Sequence, residues 1–397
     1  MKIGINGRFL IAKQTGVQRV ANNLLRSLVA IDRDNEYIIF TGEVELSNSD
    51  WDYSNVRVVS SPIWEGNNFR NHWWEQFTLP RLAKSYKVDI LHSPANMAPL
   101  FYGGASIVHI HDLCFVVNPQ WYSYLFHSVY NLLIPRLAKR ATRVITNSNN
   151  SRNDLLHYCR IDANKVNLIY WAVDSKFAPE AEVESSKLDL PPEGYILYVG
   201  SLEPRKNISS LVRAYQRLRD DHPEVKTKLI LIGGESPLFS QVRLKIKRWA
   251  DDVIFKGFVD DRSLREYYRG ALVVAYPSLY EGFGLPPLEA MASGTAVVTS
   301  LTSSLPEVVG DAALMVSPYD HQQLAGALAK VILNEGLRNE LARKGLEQVK
   351  RFNWSRVARN VISVYYEVYG LSEQGGSQKG IGFEKWQKLV SGLSESE

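Results

Sequence analysis

The chain has 397 residues, 45% hydrophobic and 22% charged, which at roughly 150 residues per domain predicts two or three domains and excludes disordered, collagen-like and coiled-coil chains. Its 46 Lys+Arg against 42 Asp+Glu leave a net charge of only +4, too little for a strongly basic nucleic-acid binder. No apolar stretch reaches the ~20 residues of a membrane span, and two cysteines, Cys114 and Cys159, are too few for a disulfide framework or a four-ligand zinc site. The sequence opens on a strand-like KIGING rather than a signal peptide, so a cytoplasmic protein is expected.

After that first strand, apolar spacing from Gly16 onward predicts a helix. Further strands are predicted at Tyr37–Thr41, Val56–Ser60, Val88–His92, Ser106–Ile110, Arg143–Thr146 and Lys165–Ile169. Helices are predicted at Asn71–Tyr86, Tyr122–Lys139 and Asn149–Tyr158. Such alternation implies a parallel sheet covered on both faces. From Asp174 to Gly194 the periodicity stops, and Pro179, Pro191 and Pro192 mark a linker.

The pattern restarts at Tyr195–Val199, followed by a helix from Ile208 and strands at Lys228–Ile232, Val253–Phe255, Leu272–Ala275, Ala296–Thr299 and Ala313–Val316. Amphipathic helices follow at Asp320–Leu333, Leu337–Phe352 and Val357–Tyr369. The predicted division is 1–172 for a first domain, 173–194 for a linker, 195–352 for a second domain, 353–370 for a bracing helix and 371–397 for a tail with an amphipathic stripe.

Two doubly wound sheets bind ligands beyond the carboxyl ends of their strands. Neither G-x-G-x-x-G nor a P-loop string occurs, which argues against hydride transfer and P-loop chemistry. After Tyr195–Val199 comes GSLEPRKN, whose Arg205 and Lys206 precede a helix start with Asn207 placed as its N-cap, a setting suited to a diphosphate. The segment EGFGLPPLEAMASG then puts Gly282 and Gly284 between Glu281 and Glu289. Its carboxylates suit either a glycosidase-like acid/base pair or a pair holding ligand hydroxyls. Asp32-Arg33-Asp34 is formally a D-x-D string but lies among polar residues that read as a turn, and no other cluster has metal-ligand spacing.

In this order, Gly16 after the first strand, His111-Asp112-Leu113, GSLEPRKN, and Glu281 with seven residues before Glu289 resemble a retaining glycosyltransferase of family 4. The resemblance covers roughly Lys2 to Tyr369, and it implies the GT-B fold, two Rossmann-like α/β domains facing a cleft. It further implies catalytic roles for His111, Glu281, Arg205 and Lys206, the two cations taking the diphosphate of a nucleotide-sugar donor. Gly16 would close over the phosphates, Phe283, Gly284 and Leu285 would hold sugar and phosphate, and Glu289 the ribose hydroxyls. No metal or other cofactor is expected, because the cations stabilise the leaving group. The HDL and EPRKN forms resemble bacterial mannosyltransferases of surface polysaccharide assembly, which favours GDP-mannose over UDP-glucose or a deoxyhexose donor. A GT-B epimerase and a non-catalytic sugar-binding protein are the alternatives.

From Gly66 to Ala172 there are 11 Lys/Arg against 5 Asp/Glu, whereas from Val173 onward the balance is 28 against 29. The basic stretch carries Trp73, Trp74, Trp121 and Tyr122, rings expected to meet a saccharide or lipid-linked acceptor. Its cations suit an anionic membrane surface, which would place the protein at the inner face of the cytoplasmic membrane.

Overall fold

The computed structural model describes residues 1–12, 16–42, 51, 53–63, 68–179, 188, 190–234 and 251–374. The chain divides into two compact units, Met1–Trp171 with Trp354–Glu397, and Ala172–Asn353. The tail stripe read at 383–393 falls outside the described residues.

The first unit holds β1 (Lys2–Asn6), β2 (Glu36–Thr41), β3 (Val56–Ser60), β4 (Ile90–Ser93), β5 (Ala105–His109), β6 (Arg143–Thr146) and β7 (Val166–Leu168). All pairings are parallel, in the order β3-β2-β1-β4-β5-β6-β7. Central strands such as Ile90–Ser93 are buried along their whole length, the pattern of a parallel sheet covered by helices on both faces. The helix Gly16–Ile31 turns Val20, Ala21, Leu24, Leu25, Leu28 and Val29 inward, as its spacing predicts.

The second unit holds β8 (Tyr195–Val199), β9 (Lys228–Ile232), β10 (Val253–Gly257), β11 (Val273–Tyr276), β12 (Val297–Ser300) and β13 (Ala313–Val316), parallel in the order β10-β9-β8-β11-β12-β13. Both sheets therefore reverse direction of growth beside their first strand, between β1 and β4 and between β8 and β11. Ligand crevices of doubly wound sheets open at such switch points.

Three local readings change. Asn207 holds the N-cap position but its side chain does not cap: it sits in the left-handed region at φ 58°, and its Nδ2 donates to Pro277 O at 3.0 Å and Pro318 O at 2.7 Å. The described residues of the stretch read as a linker pack on the second unit, where Phe177 is fully buried against Tyr268 and Lys176 pairs with Asp261 at 2.6 Å. Its apolar contacts, Phe177 with Val173, Leu188 and Leu190, are irregularly spaced, so no periodicity announces them. The helix Trp354–Gln374 belongs to the first unit, where the Tyr365 hydroxyl and His92 Nδ1 lie 2.6 Å apart and Arg143 pairs with Glu367 at 2.5 Å.

The helix predicted at Asn71–Tyr86 forms in three pieces, Asn68–Trp73, a π-helical turn Trp74–Thr78 and Leu79–Ser85. Pro80 explains the wide turn, since its ring has no N–H to give and crowds the carbonyl four residues back. Asp32 is structural: its carboxylate accepts from Asn35 Nδ2 and Tyr37 OH, each at 2.7 Å.

Candidate active site

In the second unit, β8 ends at Gly200 and the chain passes through a short 3-10 turn, Pro204–Lys206, into the helix Ile208–Asp221. That turn delivers Arg205 and Lys206 to Glu281, which follows β11. Lys206 Nζ donates to Glu281 Oε1 at 2.6 Å and to Tyr276 OH at 2.5 Å, and Arg205 donates to Glu281 Oε2 at 3.1 Å. Arg205 also meets Glu203 at 2.8 Å. The Lys206 and Glu281 side chains are each 8% exposed, so the pair works in a poorly solvated pocket.

Burial alone pushes Glu281 up, but the Lys206 and Arg205 charges outweigh it and hold the carboxyl down at about 2. Burial, then the neighbouring Arg205 charge, pulls Lys206 below its usual value, while Glu281 pulls it back. The result is a fixed triad of one anion between two cations. A ligand carrying negative charge meets the cations already desolvated and oriented.

The backbone around Glu281 is held as firmly as its side chain. Glu281 N–H donates to Ser303 Oγ at 2.9 Å, and Ser304 Oγ donates to the carbonyls of Glu281 and Phe283 at 3.0 and 2.7 Å. Gly284 then takes φ +117° and opens the helix Leu285–Ala292, where a Cβ would lie 2.8 Å from Leu305 Cδ2. On that helix Glu289 is buried and accepts from Tyr268 OH at 2.9 Å. Glu281 and Glu289 thus have separate partners, cations for one and a phenol for the other.

In the first unit, His111 follows β5 and is buried. Its Nε2 lies 3.0 Å from Pro94 O, and because a carbonyl only accepts, Nε2 carries the proton. Nδ1 is a buried acceptor with no partner among the described residues. Burial lowers the ring to about 4 against the raising effect of Pro94, so the imidazole is neutral at pH 7. Trp171 packs edge-on at 4.7 Å and His109 at 5.9 Å, and His109 continues to His92 at 4.8 Å.

Two family models cover most of the chain: one described as Glycosyl transferases group 1 matches residues 181–348, and one described as Glycosyltransferase Family 4 matches residues 14–177. Over 305 residues, 71% of this chain and 75% of the relative, the sequence is 31% identical to the O-antigen chain mannosyltransferase B of Escherichia coli. The chain belongs to glycosyltransferase family 4. This glycosyltransferase shares its fold with the sucrose-phosphate synthase of Thermosynechococcus elongatus, at TM-score 0.75 and 23% identity, covering 94% of this chain and 100% of that one. It likewise matches Anabaena Alr3699/HepE, solved with UDP-glucose, at TM-score 0.68 and 18% identity over 92% of this chain and 100% of the other. The expected GT-B class of two Rossmann-like domains is the fold observed.

Within this glycosyltransferase the structure brings Arg205, Lys206 and Glu281 into contact, with Phe283, Gly284 and Leu285 on the adjoining turn. Gly16 is the first residue of the first helix, with open space where a Cβ would stand. Trp73 is 59% exposed and packs on Phe77 at 4.3 Å. Trp74, expected beside it on the acceptor surface, is instead a core residue: it is 2% exposed, packs with Phe40, Leu79 and Leu91, and donates to Ser61 at 2.8 Å. Neighbours on a helix point ~100° apart, so one of the two rings turns inward. Trp121 is half-buried, and Tyr122 stacks on Phe126 at 5.3 Å.

Sequence reasoning missed Tyr276, Ser303, Ser304 and Gly233 as parts of the site. Gly233, at φ +156°, ends β9 so close to Gly200 that a Cβ would stand 1.9 Å from Gly200 O. The doubled glycine 233–234 directly after a buried strand was the available signal.

Proposed function

We propose that this glycosyltransferase moves mannose from GDP-mannose to a saccharide or lipid-linked saccharide acceptor in polysaccharide or glycolipid assembly, with retention at the anomeric carbon and without a metal. The likeness to a mannosyltransferase of O-antigen chains carries the sugar and the setting. In this reading the donor diphosphate displaces Glu281 as the partner of Arg205 and Lys206, whose charges stabilise the departing anion. Glu281 then turns to the transferred sugar, and Glu289 exchanges its Tyr268 partner for the ribose hydroxyls. The leaving diphosphate accepts the acceptor's proton on the face it departs from. Neutral His111, its Nε2–H held by Pro94 O, offers the lone pair of Nδ1 to a sugar hydroxyl.

Thermal shift with a panel of nucleotide-sugars tests the donor. A ligand at 100 times its Kd adds about 2.7 kcal/mol, so GDP-mannose should raise the melting temperature by several degrees and UDP-glucose by far less. The reverse order would transfer the proposal to UDP-glucose, and turnover abolished by EDTA would end the metal-free mechanism.

A membrane surface at the cytoplasmic side is proposed for the acceptor side of the enzyme. The helix Tyr124–Arg140 supports it, because Tyr124 and Leu125 are 87% and 73% exposed and Val129 and Leu132 follow on the same solvent side, with Arg136, Lys139 and Arg140 at its end. Such a helix rests its apolar side in the headgroup boundary while its cations meet anionic lipids. Flotation with vesicles containing phosphatidylglycerol should carry the protein upward, and a Tyr124→Ser, Leu125→Ser variant should stay at the bottom. Equal recovery of both proteins would remove this helix from the reading.

A further inference from the structure

One buried carboxylate has no part in the chemistry above. Glu75 lies on the π-helical turn Trp74–Thr78, and its side chain is 1% exposed. Its Oε1 accepts from Asn6 Nδ2 at 2.6 Å, and its Oε2 accepts from Arg8 at 3.1 Å, with His72 Nδ1 at 3.6 Å. Arg8 and His72 also touch each other at 3.2 Å.

Three features distinguish this cluster from an ion pair that merely fastens a loop. Its location is the first: Asn6 ends β1, and Asn6 Nδ2 makes longer 3.4 Å contacts with Ser93 Oγ at the end of β4 and with Met97 O beyond it. That is the switch point of the first sheet, where doubly wound folds bind ligands. The same strand end holds Pro94 O against His111, so the cluster lies one strand away from the buried histidine.

The second feature is one-sided exposure. Glu75 is sealed underneath while the Arg8 and His72 side chains are 21% and 34% exposed above it. Arg8 Nε and its second terminal nitrogen make no hydrogen bond to the described residues. The third is the backbone, since π-helical turns occur mostly as single turns and frequently at functional sites.

Close by, Tyr122, Phe126 and Tyr130 form a stacked series with ring spacings of 5.3 and 4.2 Å and nearly parallel planes. Burial raises the Tyr130 hydroxyl, with Arg8 pulling it down and Glu75 pushing it up, so this series ends within electrostatic reach of the cluster.

From this geometry we infer that Arg8, His72 and Glu75 form the polar floor of a subsite for a neutral saccharide, the acceptor end that receives the sugar. Glu75 cancels the charge of Arg8, so an anion has little to gain there, whereas hydroxyls gain oriented N–H donors and an imidazole. Aromatic faces beside such donors suit the apolar side of a pyranose ring. This subsite rests on the proposal that the first unit takes the acceptor, and it adds which residues specify it.

The test uses octyl α-D-mannopyranoside as acceptor probe and GDP-mannose as donor, on the full chain. His72→Ala leaves the Arg8–Glu75 pair intact and should raise the KM for the octyl mannoside at least tenfold, while the calorimetric Kd for GDP-mannose stays within twofold. Arg8→Gln should do the same more strongly, and a thermal melt verifies that it folds. Saturation-transfer NMR of the octyl mannoside should weaken in parallel in both variants. Acceptor KM and NMR response unchanged in both variants would overturn the subsite. So would a folded wild-type protein that binds none of the octyl mannoside, glucoside and galactoside. Absence of GDP-mannose binding to the wild type would defeat the donor proposal alone, because the NMR experiment needs no donor.

Discussion

Lys206→Ala is expected to lower single-turnover transfer by about a hundredfold to a thousandfold, the range for losing one oriented donor to a developing charge. It should also destabilise the second unit by about 3–5 kcal/mol, because Glu281 stays buried after losing its nearer cation. These two effects separate in a second variant. Lys206→Met combined with Glu281→Gln removes both charges of the 2.6 Å pair and keeps much of the volume, so it should recover most of the stability and none of the activity. A double variant as active as wild type would show that the pair serves the fold and not the transfer.

The pH dependence of that stability has a definite sign. The Glu281 carboxyl titrates at about 2 in the folded chain against an ordinary 4.5, so the unfolded chain binds more protons between those values. The contribution is therefore complete above pH 4.5 and is lost as pH falls from there through 2. Urea midpoints of wild type and Glu281→Gln should differ by a constant amount near neutrality and converge in that acidic window.

Gly233→Ala is expected to cost roughly 3 kcal/mol or more. The added Cβ would stand 1.9 Å from Gly200 O and 2.8 Å from its carbonyl carbon, and both neighbours are backbone at the end of β8. No side chain there can rotate away. Relief requires β8 and β9 to part, which would carry the turn bearing Arg205 and Lys206 with it. Gly326→Ala is the matched control: its Cβ meets nothing within 4 Å in the helix His321–Leu333, so it should gain about 0.5–1 kcal/mol. Denaturant midpoints of the two variants on opposite sides of wild type would confirm both; a Gly233→Ala variant as stable as wild type would contradict the close approach.

Much of this architecture is legible in the chain itself. The strands predicted at Val56–Ser60, Arg143–Thr146, Tyr195–Val199, Lys228–Ile232 and Ala313–Val316 occur at those bounds, and the other predicted strands shift by a residue or two. Buried parallel strands are continuous apolar runs and covering helices repeat every three or four residues, so both signals sit within a short window. The segments GSLEPRKN and EGFGLPPLE were likewise readable as turns leading from a strand into a helix.

Partners were less legible. Trp73 and Trp74 look alike in sequence, yet one is exposed and the other buried. Asn207 was placed to cap a helix, yet its side chain secures two carbonyls 70 and 111 residues away. Glu75 carried no motif at all. The sequence alone therefore determined two doubly wound sheets and the turns that follow β8 and β11, because local periodicity and turn chemistry dictate them. Which charge neutralises which was decided only by the tertiary structure. Lys206 meets Glu281, and Arg8 meets Glu75, through parallel strands whose crossovers bring together side chains 75 and 67 residues apart, and the desolvation that gives those pairs their strength exists only once the sheets have closed over them.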